Sequence, residues 1–293
     1  TDKTYTEGGD YGLHRYGVGW YNKSAVDNKA ITTLWSHSLY YGREYRWSMP
    51  SLFMIQNFNQ YDKRLYGSLQ EYWCWIPNDW NQKPDYSDTV LIRHFRTVTD
   101  EEVEAGRRRA ETHPLGHELF VEGLNHMYDM QTGEPTMNGR SCYHTNLKYL
   151  DSSREFAKDE KGHKDHIWFR LGEVYLAEAE LNMYLGNKQK AADLINELRK
   201  RALTEGHEEA LKVTPDMITL DFILDEYMRE LSMEGFRWYT LKRTGKLLER
   251  ALKYNPDVKD KMKPYHINRP IPQNEVDVVT NKDEFQQLPD YRK

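Results

Sequence analysis

The clearest periodicity in the chain begins at Ile167. Ile167, Leu171, Val174, Tyr175 and Leu181 fall on one stripe of a 3.6-residue helix, and Gly186-Asn187 then supplies the residues that end a helix in the left-handed conformation. Ala191, Leu194, Ile195, Leu198 and Ala202 repeat the pattern after this tight turn. A third helix is predicted from a Thr219 N-cap to about Glu234, with Leu220, Ile223, Leu224, Tyr227 and Leu231 facing inward and Gly235 as the stop. Leu171, Val174, Tyr175, Leu194, Ile195, Leu198, Leu224 and Leu231 are therefore expected to be buried together.

Small residues at Ala177, Ala179, Ala191 and Ala192 let the first two helices approach closely, as in one tetratricopeptide-type hairpin. One such hairpin cannot cover its own apolar face, so neighbouring helices are expected on it. Beyond Gly245 a short helix is predicted, then an extended tail where Pro270 and Pro272 block regular helix. The first 150 residues are patterned differently. Pro50 to Ile55 can open a helix, Val90 to Arg96 reads as a strand, and Asp100 to Arg109 reads as a solvated helix whose acids compensate its arginines. The fold expected is mainly α with little β. A single domain over 1–293 comprises a loop-rich aromatic subregion, 1–150, and a tetratricopeptide-like helical core with an extended tail, 151–293.

A net charge of −5, with basic residues interspersed among acidic ones, leaves no electrostatic footprint for nucleic acid. No run of about 18 apolar residues is present, which predicts a soluble chain. The start at Thr1-Asp2-Lys3-Thr4, without initiating Met or signal pattern, reads as a trimmed piece of a longer protein. Cys74 and Cys142 lack the spacing of a zinc knuckle or redox motif and allow one disulfide.

No nucleophile elbow, P-loop or dinucleotide fingerprint occurs. His113 and His117 are four apart, but Pro114 and Gly116 argue against a helix that would align them, and no third ligand lies nearby in sequence. His163 and His166 flank a charged loop. Neither pair is read as a metal site, and no catalytic residue or cofactor is expected. The aromatic tract is the stronger lead, because six of the eight tryptophans precede residue 81 and concentrate flat rings in one region. Sugar rings stack on aromatic faces, and their hydroxyls need amide, carboxylate or guanidinium partners. Trp35, Tyr41, Arg43 and Trp47 form one candidate cluster, and Trp73, Trp75, Asn78 and Trp80 a second. If the strand were regular, Trp73 and Trp75 would share a face.

Three stretches carry a family resemblance: Arg170 to Glu180 with Asn196 to Ala202; Ile223 to Arg243; and Pro270 to Glu275 with Gln287 to Tyr291. In this order and spacing they resemble the C-terminal region of the SusD/RagB family. Met49-Pro50-Ser51-Leu52 and Tyr61-Asp62-Lys63-Arg64 look like its proline-led helix and D-x-R turn. The chain departs from the family at Tyr227, Thr240, Leu288 and Asp290. In the second stretch Asp225 and Arg229 are expected to pair, and Glu226 and Glu230 to take their cation from Arg237 or Arg243. The resemblance implies a non-enzymatic nutrient-binding lipoprotein of the outer-membrane surface. It would capture oligosaccharides, or peptides as RagB-like members do, for a SusC-like TonB-dependent transporter. Its only tie to the membrane would be a lipid anchor absent from this sequence.

Overall fold

The structure is a computed structural model that describes residues 24–27, 37–43, 48–77, 81–151, 153–156, 164–165, 167–281 and 283–292. It divides into two units, 1–237 and 238–293.

In the first unit, β1 (His37–Ser38) and β2 (Gly42–Arg43) form a short antiparallel ladder. Two short helices follow, α1 (Leu52–Gln56) and α2 (Lys63–Ser68), begun by Ser51 and Asp62, whose side chains accept the N–H of Met54 and Arg64. Next come β3 (Tyr72–Trp75), β4 (Asp85–Arg93), α3 (Asp100–Arg108), β5 (Phe120–Glu122) and α4 (Leu124–Met127). The Thr99–Glu102 capping box fixes the start of α3, and three acids in its first turn complement the helix dipole. The three strands form a sheet in the order β3-β4-β5, antiparallel then parallel.

The core under this sheet joins Trp73, Leu91, Phe120, Met127, Tyr128 and Tyr143 to Leu52, Ile55 and Leu65 of the two short helices. Arg93 and Glu122 pair at 2.6 Å with both side chains fully buried, and the guanidinium lies 4.9 Å from the Trp73 ring. Burying one of these charges alone would be costly, so the pair ties β4 to β5. β4 begins five residues before the expected strand. The polar stretch from Asp85 is recruited by pairing with β3, a tertiary effect that local propensity does not register. Cys74 and Cys142 are both buried and unbridged.

The helical part contains α5 (Leu171–Tyr184), α6 (Lys188–Arg199) and α7 (Leu220–Leu231). Gly186, at φ 81°, turns the chain between α5 and α6 as predicted. Thr219 caps α7 by accepting the N–H of Phe222. Leu176, Ala179, Ala191, Ala192, Ile195, Leu198, Ile223 and Leu231 build the shared core. The expected face of α5 is corrected: Leu171 is 67% exposed and Val174 and Leu181 56%, while Gly172, Leu176, Ala179 and Glu180 point inward. The polar residues of α5, Glu173 and Glu180 on one face and Glu178 and Asn182 on the opposite one, leave apolar positions on more than one side, so spacing alone did not set its rotation. Close approach did, since a Cβ on Gly172 would sit 2.7 Å from a Glu230 carboxylate oxygen.

The second unit contains α8 (Arg237–Arg243), which starts at the boundary, then α9 (Leu247–Tyr254) and α10 (Gln273–Val278). Within it the Arg269 guanidinium covers the Trp238 ring at 4.7 Å. The tail is not simply extended: Pro256, Pro264 and Pro289 each open a 3-10 turn, at the first position where a missing N–H costs nothing. Among the described residues no helix is long and apolar enough to cross a membrane.

Candidate functional site

Of the eight candidate ligand residues, Trp35, Trp47, Asn78 and Trp80 lie outside the described residues, as does the side chain of Arg43. Tyr41 and Trp73 are corrected to core positions, 6% and 0% exposed, because a buried ring has no face to offer a ligand. The Tyr41 hydroxyl accepts the Cys74 N–H at 2.8 Å, and burial pushes its pKa far up. Trp75 is half-buried and does not share the environment of Trp73. The β3–β4 register slips at Cys74 and again at Trp75, so strict alternation is lost.

Next to these positions the structure exposes rings that sequence reasoning passed over. Among the described residues β3 is an edge strand, and Tyr72 at its start is 48% exposed; Tyr66, near the end of α2, is 45% exposed and meets Phe95 edge-on at 5.3 Å. Phe95 in turn stacks on buried His144 at 4.4 Å, which fixes the floor of the patch. Glu71 is the polar companion. It faces both phenols and pairs with His94 Nδ1 at 3.1 Å, and partial burial followed by its charge raises the pKa of Tyr66 and Tyr72. Two accessible rings with a carboxylate and an imidazole between them meet the stacking and hydrogen-bonding needs of a sugar.

A second polar cluster sits beside Trp75. The His117 ring lies 4.1 Å from the Trp75 ring, its Nδ1 is 2.7 Å from Asp88 Oδ2, and His113 Nε2 is 3.2 Å from Asp88 Oδ1. Arg109 bonds the same carboxylate and the Thr89 carbonyl. The two imidazoles stack at 5.0 Å across the 113–117 turn, so the spacing judged unsuited to alignment is aligned by a loop, with Asp88 as a third group from a strand.

The third constellation is internal. Glu226 is bound by Arg64 at 2.9 Å, Arg199 at 2.5 Å and Arg229 at 2.7 Å, and Glu230 by Arg64, Arg170 and Arg201. Burial alone would raise the Glu226 pKa, but attraction from Arg229, Arg64 and Arg199 overrides it and holds the group well below the usual range. Arg237 is not the cation expected: it donates to the Leu224 carbonyl at 2.6 Å, and Arg229 pairs with Glu226 rather than Asp225. A cavity of about 410 Å³ opens onto this network, walled by Arg64, Lys148, Arg170, Arg201, Arg229 and Glu230, with no aromatic among the described residues that line it. It offers no stacking face, and its carboxylates are already saturated by guanidinium, so it serves the framework.

A family model described as the SusD family matches residues 53–291. Two SusD-like proteins of Formosa agariphila are similar. One is 37% identical over 135 residues, covering 44% of this chain and 24% of that protein, and the other 35% over 91 residues, covering 28% and 18%. The crystal structure of a SusD superfamily protein from Bacteroides fragilis aligns with 18% identity and a TM-score of 0.46, over 99% of this chain and 50% of that one. The chain thus spans about half the length of that structure, and its aligned segments a quarter or less of the curated relatives.

Proposed function

This chain belongs to the SusD family, and on that premise we propose that it is part of a surface nutrient-binding protein that captures oligosaccharides and passes them to a SusC-like, TonB-dependent outer-membrane transporter. It binds without turning over its ligand, and the whole protein is held at the outer membrane by a lipid anchor. The observation that carries the ligand reading is the exposed pair Tyr66 and Tyr72 with Glu71 and His94 between them on the edge of the sheet. In this proposal Trp75 and the candidates Trp35, Arg43, Trp47, Asn78 and Trp80 also contribute to ligand binding.

The test is binding to an immobilised glycan panel and to a peptide pool, with analysis of any products. Retention of one glycan class, unchanged on recovery and weakened by Tyr72→Ala, supports the proposal. Peptide retention without glycan retention replaces the ligand class, and product release abolished by a single carboxylate substitution replaces binding with catalysis.

A further inference from the structure

We propose that Asp88, His113 and His117 form a binding site for a divalent transition-metal ion of the zinc class, which clips the 113–117 turn to β4 beside Trp75. The donor set is two imidazole nitrogens and one carboxylate, and all three donor atoms lie within 4.8 Å of one another. Nitrogen-rich sets of this kind suit zinc and its neighbours, whereas calcium and magnesium take oxygen. The side chains are screened from solvent, with Asp88 7% and each histidine 16% exposed, so an ion there would be held against few competing waters.

The spacing is close to what an ion requires. Ligand atoms around a tetrahedral zinc with bonds of 2.0–2.1 Å stand roughly 3.3 Å apart. His117 Nδ1 stands 2.7 Å from Asp88 Oδ2, about 0.6 Å short of that, and His113 Nε2 3.2 Å from the other oxygen, Oδ1; with all three donors within 4.8 Å, small side-chain rotations bring both imidazoles and one oxygen around an ion. Three protein ligands leave a fourth position for water or for a group on a bound ligand.

The competing account is a plain hydrogen-bonded clasp in which Asp88 accepts from two imidazoles and Arg109. Its strongest support is His113 Nδ1, which accepts the backbone N–H of Leu115 at 3.2 Å and of His117 at 3.3 Å, placing the ring proton on Nε2. Metal on Nε2 requires that proton to leave, and the two long bonds to be given up if Nδ1 takes it. These are weak bonds, and a coordinate bond outweighs them, but their loss sets the affinity below that of a dedicated structural zinc site. Arg109 acts in both directions: its charge opposes a dication, while its hydrogen bonds fix the carboxylate. It anchors one carboxylate oxygen and the Thr89 carbonyl, which orients the other oxygen toward His117, as partners behind metal ligands commonly do. The site does not depend on the glycan reading, since its residues are set by the sheet and the turn.

The test uses the full chain, stripped with chelator. Zinc is titrated by calorimetry and cobalt by visible absorption, with calcium and magnesium as controls. One zinc per chain is expected, with a cobalt spectrum of a nitrogen–oxygen site, a rise in Tm on zinc addition, and no response to calcium or magnesium. His117→Gln and His113→Gln should each weaken zinc binding at least tenfold and abolish the Tm rise. If either variant does not fold, Asp88→Asn read by the cobalt spectrum decides the matter. No saturable zinc binding, or binding unchanged in the variants that fold, overturns the proposal and leaves the clasp.

Discussion

The helical part and the Asp88 corner of the sheet part each bury carboxylates at a junction, and they neutralise them with different partners. Glu226 and Glu230 on α7 meet five guanidiniums gathered from α2, α5's leading residue, α6, the turn after it and α7 itself. Asp88 on β4 meets one guanidinium and two imidazoles. Arginine is charged at every pH a protein survives, so the first cluster is a permanent framework. Imidazole is a weak base and a metal ligand, so the second can exchange its protons for an ion.

The comparison breaks first at Glu226. Glu226→Ala leaves Arg199 and Arg229 without a carboxylate in a buried site and is expected to cost about 3–5 kcal/mol in urea denaturation. A loss under about 1 kcal/mol would mean that the cage is dispensable. Next in size is the contrast between the two faces of the hairpin. Leu198→Ala, at 4% exposure in the shared core, should cost about 2–5 kcal/mol, while Leu171→Ala, mostly exposed, should stay within about 0.5 kcal/mol. Equal losses would restore the stripe read from periodicity.

The effect of pH separates the regions further. Burial lowers the His144 pKa to about 3, the carbonyl of Arg93 opposing and the Arg93 charge assisting, so the folded protein holds the ring neutral. The unfolded chain titrates near the ordinary value and binds the proton sooner. Stability is full above about pH 6.5 and falls as pH drops toward 3, by up to about 1.4 kcal/mol per unit. Glu226, with a depressed folded pKa, contributes stability that is present above the ordinary carboxylate pKa and lost only below it. Denaturation curves at pH 7, 6 and 5 should decline, and His144→Gln should flatten that decline; a flat wild-type profile refutes the assignment.

The smallest effect on stability is expected at the ligand surface. Tyr72→Ala should change stability by less than about 0.5 kcal/mol yet weaken glycan binding by about 1–3 kcal/mol, by analogy with base stacking on aromatic rings. Trp73→Ala should do the reverse, costing about 3–5 kcal/mol through the core. If both positions behave alike, the division of the β3 rings into floor and face is wrong.

How much of this was legible varies by element. Thr219, Gly186 and the stripe of α6 were readable because a cap, a left-handed turn and an amphipathic face are local properties. The motif Asp62-Lys63-Arg64 flagged the right place, though not its reason: Asp62 caps α2 and holds Arg64, which reaches Glu226 and Glu230. Of the candidate rings, Tyr41 and Trp73 could not be told from Trp75 because each is a ring in a polar, loop-like stretch, and burial is decided by which strand lies on top.

The sequence by itself determined the helices after residue 170, the turns between them and the family, because caps, apolar spacing and motif order are carried by neighbouring residues. Only the tertiary structure decided the rotation of α5, the cations that meet Glu226 and Glu230, the exposure of Tyr72 over Trp73, and the meeting of Asp88 with His113 and His117. Each of these depends on groups brought together from distant parts of the chain, where close packing and the cost of an unpaired buried charge select among arrangements that local pattern leaves equal.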